Sequence, residues 1–223
     1  MIECAAGAQT PMTRERRVPV LSLTASALAV LLAAVALGPG ASEDGIRSVV
    51  RWTAKIAVVL FCAAFAASSL RVFFRSEWTR QLMRHRRQLG VSFALAHTLH
   101  LAALVALGIA FPSPFLDELN AVTIVGGGLA YVFMFAMAAT SNDGAVRRLG
   151  LPRWRLLHTI GGWYIWIIFT QSYLPRALQD PLYAPFGVLL LGVLGLRIAR
   201  RVRERGRARA ARSSSALGES PHA

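Results

Sequence analysis

Six apolar runs of similar length divide this chain of 223 residues, at roughly Val18 to Leu37, Thr53 to Leu70, Gly90 to Phe111, Ala121 to Thr140, Arg155 to Leu174 and Leu182 to Ala199. A helix rises about 1.5 Å per residue, so ~20 apolar residues cross the ~30 Å hydrocarbon layer of a bilayer. Within that layer only helices and closed barrels satisfy every backbone polar group. The runs therefore predict an all-α integral membrane protein, a bundle of six transmembrane helices occupying residues 18–199. Short connections leave no room for a separate soluble domain. Neither a Walker-type GxxxxGK[ST] nor a strand-flanked GxGxxG occurs, which removes those routes to nucleotide binding.

The first run admits two readings. Arg14, Glu15, Arg16 and Arg17 ahead of an apolar stretch resemble a secretory signal, but ~20 residues exceed a typical signal core of 7–15, so a retained helix is expected. Residues 1–17 then form a cytoplasmic N-terminal segment.

A formal charge of +14 in a soluble chain would suggest nucleic acid; in a membrane chain it reads first as topology. Basic residues crowd the N-terminus, the second loop from Arg71 to Arg87, the fourth loop from Arg147 to Arg155, and the C-terminal segment, which holds eight Arg from Arg197 to Arg212. The alternate loops carry only Arg47, Arg51, Lys55 and Arg176. This asymmetry predicts that both termini are cytoplasmic. The tail, residues 200–223, follows a membrane run directly, so anionic lipid headgroups account for its charge without nucleic acid, and its composition predicts disorder. Two cysteines, Cys4 and Cys62, make neither a disulfide framework nor a CxxC site.

Ionisable groups at membrane depth are costly and point to function. Every Asp and Glu lies outside the runs, which counts against a proton pump. Three histidines remain inside: His97 and His100 in the third run and His158 in the fifth. Counted from Gly90, the first two lie roughly 10 and 15 Å into the bilayer, and His158 lies roughly 5 Å beyond Arg155, so all three are expected in the inner half. A single such imidazole is as readily a hydrogen-bonded packing group. Histidines on two helices with no acidic partner point instead to a bound metal, heme iron above all, since neutral imidazole is an axial ligand; zinc on all three is a lesser alternative. Gly161 and Gly162 beside His158, and Gly126, Gly127 and Gly128 in the fourth run, suit either a flat cofactor or close helix packing. Trp154, Trp163, Tyr164 and Trp166 suit a macrocycle or an interface belt.

Beyond these readings, Arg86-Arg87-Gln88-Leu89-Gly90 with His100 ten residues on, Ala139-Thr140-Ser141, and Leu149-Gly150-Leu151-Pro152-Arg153-Trp154-Arg155-Leu156-Leu157-His158 resemble the ferric reductase-like transmembrane domain. The pattern is similar to the heme-binding membrane subunits of bacterial periplasmic methionine sulfoxide reductase systems. The resemblance covers about Arg86 to Leu174 and implies heme b held between the third and fifth helices, with His100 and His158 as iron ligands. The family's second fifth-helix histidine falls at Gln171 here, an amide and a poor iron ligand. His97, which the pattern does not require, is the alternative third-helix ligand. At most one well-ligated heme per chain is expected. The function implied is that of an electron-transfer subunit of the bacterial inner membrane, lacking its own flavin or nicotinamide domain and served by a redox protein or quinone. The competing reading is a non-redox membrane scaffold with a degenerate heme site.

Overall fold

The computed structural model describes residues 42–113 and 121–218, with six positions of the first run, Thr24, Ala25, Ala27, Leu28, Val30 and Leu32. The remainder of that run, and residues 1–17, lie outside the described residues. Every long element is an α-helix, and no strand occurs among the described residues.

Helix α1 spans Glu43–Phe73. Its start is written in the sequence: the Ser42 hydroxyl accepts from the Gly45 amide at 3.2 Å, and Glu43 and Asp44 place negative charge at the positive end of the helix dipole. A tight connection leads into α2, Glu77–Ala110. There Thr79 is fully buried, and its hydroxyl donates to the carbonyls of Phe74 at 2.6 Å and Ser76 at 2.9 Å. Helix α2 begins thirteen residues before the third apolar run, because Arg80 to Gln88 is a strongly helix-forming stretch and nothing in it interrupts the hydrogen-bond ladder.

Helix α3 is Ala121–Ala139, and the short α4 is Asp143–Leu149, capped by Asn142, whose side chain accepts from the Ala145 amide at 2.7 Å. Between α4 and α5, Leu151–Gln179, stands Gly150 with φ +75°, a left-handed turn that needs a residue without Cβ. A single 3-10 turn, Pro181–Tyr183, leads to α6, Ala184–Gly218. Helix α6 runs through Gly218, and residues 219–223 of the tail lie outside the described residues. Its Arg/Ala composition favours helix, and Arg200 and Glu204 pair at 2.7 Å one turn apart.

Three helices are long and apolar enough to cross a membrane: Glu43–Phe73, Glu77–Ala110 and Pro181–Ala211. Thr123–Ala139 joins Asp143–Leu149 at a bend of 103° and makes a fourth if that broken pair is one span. The described residues thus meet this measure three or four times, against the six helices expected. Helix α5 has the length but not the apolarity, since His158, Gln171 and its Trp and Tyr residues dilute its aliphatic content.

Helix α1 is the centre, flanked by α2 and α6, while α5 bridges α3 and α6. Phe61 stacks on Phe65 at 5.1 Å and meets Phe93 and Phe169 at 5.4 Å each, so one aromatic cluster joins α1, α2 and α5. Leu28 of the first run is buried against the same core. In lipid this contact surface holds by close packing more than by the hydrophobic effect. The basic segments collect at one end: Arg87 Nε donates to the Ser141 carbonyl and its guanidinium pairs with Asp143 at 3.1 Å, while Arg86, Arg197 and Arg203 donate to carbonyls in the second half of α1.

Candidate functional site

His97 and His100 stand one turn apart on α2 with their rings stacked, centroids 5.0 Å apart and planes 8° from parallel. The imidazole of His100 is oriented by α1. Its Nδ1 lies 3.0 Å from the Val50 carbonyl and 3.4 Å from the Thr53 hydroxyl. Thr53 is fully buried and already donates its proton to Val49 O at 2.6 Å. Both neighbours of Nδ1 are therefore acceptors, which assigns the proton to Nδ1 and leaves Nε2 with a free lone pair. That arrangement is what a metal-ligating imidazole requires of its outer shell.

His97 sits deeper among rings. Tyr131 stacks on it at 4.9 Å, Phe93 at 5.6 Å, and Phe169 meets it edge-on at 5.4 Å. Its Nδ1 is buried with no hydrogen-bond partner, and so is the hydroxyl of Tyr131. Two orphaned polar atoms on adjacent rings are expensive in a low-dielectric interior and suit a site built for a ligand.

His158 is placed elsewhere. Its Nε2 lies 3.2 Å from the Thr140 hydroxyl, which donates to Ala136 O at 2.7 Å and so accepts from the imidazole. Trp154 packs on its ring at 4.2 Å and ties α5 to the end of α3 through a 3.0 Å bond from Nε1 to Thr140 O. Along α5 the level of His97 is marked by Phe169, eleven residues past His158, or roughly 16 Å of helical rise. The pair on α2 and the histidine on α5 therefore occupy two levels, not the shared inner depth that counting from Gly90 suggested. Among the described residues no group of three His, Cys, Asp or Glu side chains could hold a metal ion, which removes the zinc alternative.

The glycines divide likewise. A Cβ on Gly161 would meet Met137 Sδ at 2.6 Å and one on Gly162 would meet the Phe65 ring at 3.0 Å, so both serve close helix packing. Gly127 and Gly128 face open space. Gln171 is exposed among the described residues, while Phe169 and Tyr173 on either side of it are buried. Thr53, Val50, Tyr131 and Phe169 were not singled out in the sequence, and nothing in it marks them. Thr140 was marked by the Thr-Ser pair.

The family model of the ferric reductase like transmembrane component matches residues 52–170, which include all three histidines. The chain belongs to that family. It is similar to the protein-methionine-sulfoxide reductase heme-binding subunit of Ralstonia nicotianae, 36% identical over 60% of this chain and 59% of that protein. The subunit of the same name from Bordetella parapertussis is 32% identical over 76% of this chain and 82% of its own length, and that of Deinococcus radiodurans 26% over 72% and 78%. The match to the Ralstonia relative thus leaves about two fifths of that protein uncovered. No solved structure matches the chain. A ferric reductase-like transmembrane chain with apolar helices of spanning length is an integral membrane protein.

Proposed function

We propose that this chain is an electron-transfer subunit of a bacterial inner membrane, with both termini in the cytoplasm, carrying heme b on His100 of α2 and His158 of α5. Its relatives are named as heme-binding subunits of protein-methionine-sulfoxide reductase, and the donor and acceptor proposed here follow from that: a cytoplasmic redox protein or quinone on one side and a reductase partner on the other. The observation that carries the reading is the Nδ1 bond from His100 to the Val50 carbonyl, which fixes the ring and leaves Nε2 as a ligand. The residues fit the group: neutral imidazoles, and beside His100 the stacked ring of His97 within an aromatic envelope of Phe93, Tyr131 and Phe169 that holds two orphaned polar atoms. When bound, heme iron supplies one-electron chemistry. The residues' own work is to orient imidazoles, keep water from them and hold charge away from the iron. His158 must release Thr140 to ligate through Nε2.

The two levels, roughly 16 Å apart along α5, favour one iron at each over a single iron shared by both histidines. His97, stacked on His100 with no partner for Nδ1, is the packing neighbour in this reading. The test is an absorption spectrum with heme quantification on the purified full chain. A Soret band is expected, part of it lost in His100→Ala, another part in His158→Ala, and none in His97→Ala. Loss of the whole band in either single variant would replace two levels by one shared iron. A spectrum indifferent to His100 and His158 would remove both from the site, and the absence of any Soret band would leave the scaffold reading.

A further inference from the structure

The basic end of the bundle holds more donors than the histidine site uses. Arg86 Nε donates to Ala64 O at 3.0 Å and Arg197 donates to Phe65 O at 2.8 Å, bringing guanidiniums of α2 and α6 against successive carbonyls of α1. The Arg197 guanidinium lies over the Phe65 ring at 3.7 Å and 5.1 Å from the Trp163 ring; Arg201 lies 5.5 Å from that same indole. The charges of Arg86, Arg200 and Arg201 all bear on Arg197. Glu204, bonded to Arg200 at 2.7 Å, answers one of them. In the midst of this group the Trp163 indole N–H is buried without an acceptor. Crowded cations and an orphaned donor have the same remedy, an oxyanion with several acceptor oxygens.

We infer that Trp163, Arg197, Arg201 and Arg86 form a binding site for the phosphodiester of an anionic phospholipid in the leaflet at this end of the bundle. The site opens at the end of a span, where headgroups lie. Beside its arginines α6 exposes Ile198 at 52% and Val202 at 63%, an apolar wall that acyl chains would cover and a free phosphate would not need. It is distinct from the histidine positions, because the His158 ring turns to Thr140 of α3 whereas Trp163 turns to α1 and α6; Arg86 is the site residue whose charge also bears on His158. The inference does not depend on heme.

The experiment uses the full chain purified in detergent and loaded with phosphatidylglycerol or phosphatidylcholine, with retained lipid per chain counted by mass spectrometry after washing. Trp163→Phe keeps an aromatic ring and removes the orphaned donor; Arg201→Gln removes an exposed charge whose contact with the fold is its 5.5 Å approach to the Trp163 ring. Each should lower phosphatidylglycerol retention about tenfold, the loss of one charge-assisted or buried hydrogen bond. Arg207→Gln, further along the same helix, should stay within about twofold of the unmodified chain. Helical circular dichroism and any Soret band should be unchanged in all three. Equal retention of phosphatidylcholine, undiminished retention in both site variants, or equal loss in Arg207→Gln would overturn the site. Displacement of the lipid by equimolar inorganic phosphate would overturn its assignment to a phospholipid.

Discussion

Adjacent glycines on α5 make a sharp prediction because their neighbours differ in freedom. An alanine at 162 places Cβ 3.0 Å from the Phe65 ring. That ring cannot withdraw: it stacks on Phe61 at 5.1 Å, meets Trp163 edge-on at 5.4 Å and carries the Arg197 guanidinium at 3.7 Å. Overpacking of this kind costs about 1–3 kcal/mol, and a pinned ring belongs in the upper half of that range. Alanine in a helix interior returns about 1 kcal/mol relative to glycine. The net loss for Gly162→Ala is about 1–2 kcal/mol, or a fall in Tm of about 2–8 °C for a chain of this size. At 161 the nominal clash is worse, 2.6 Å, but the atom met is Met137 Sδ, near the end of a flexible side chain, and the Phe133 ring, at 3.3 Å, need give only a few tenths of an ångström. Its shift costs about as much as the helix gains, so Gly161→Ala should leave Tm within about 2 °C. The assay is thermal unfolding of the full chain in detergent, followed by tryptophan emission at one fixed scan rate, since membrane chains often unfold irreversibly. A Gly162→Ala chain as stable as the unmodified one, or a Gly161→Ala chain less stable than it, would refute the reasoning that neighbour mobility decides the sign.

Two further outcomes test the layout. A reporter active only outside the cytoplasm should function when fused at Leu116 and fail at Gly144, because the α3–α4 connection lies at the end where Arg87 pairs with Asp143; the reverse would invert every side assignment. Gln171→His should change neither heme content nor spin state, because position 171 is exposed and turned away from the buried aromatic face toward His97, so a new low-spin signal would show that this face is presented to a ligand after all.

The helices were legible in the sequence wherever an apolar run ended at a chemically distinct residue. Ser42 and Asn142 cap as their side chains dictate, and Gly150 ends α4 at the only positive-φ residue described, but the apolar run marks α1 only from Thr53, ten residues after the helix begins. Less legible was where amphiphilic stretches would carry on: Arg80 to Gln88 and Arg197 to Arg212 are helical by local propensity, although hydropathy alone ends the helix at their border. The three histidines were found from the sequence, but their relative depth was not. Depth counted from Gly90 assumes that each helix enters the membrane at its first apolar residue. The axial offset of α2 against α5 is set instead by which rings interlock, and it is Phe169, an ordinary core residue by its spacing, that meets His97. Thr53 was equally silent, since a threonine in an apolar run gives no sign that it will face an imidazole 47 positions away.

Helix α5 shows how a helix of spanning length can be poor in aliphatic residues and still be held in place. In a bilayer each unsatisfied polar group is costly, so polar side chains on a spanning helix must find partners on its neighbours. On α5 most do. Trp154 Nε1 reaches Thr140 O, the Tyr164 hydroxyl reaches Gly126 O at 3.2 Å, and Trp166 Nε1 reaches Leu190 O at 3.2 Å, so the polar content that lowers its hydropathy is spent binding α3 and α6 to it. Against that background the exceptions carry information. Among the described residues Arg71, Ser92, His97, Tyr131 and Trp163 each bury a polar atom with no partner; His97 and Tyr131 lie side by side at the level of His100, and Trp163, the one on α5, lies at the basic end among guanidiniums. A fold that satisfies the neighbouring indoles of Trp154 and Trp166 has little reason to leave that of Trp163 bare for packing alone. Trp163, a donor among guanidiniums, calls for an oxyanion, whereas His97 and Tyr131 close the ring stack against His100 in the proposed heme site.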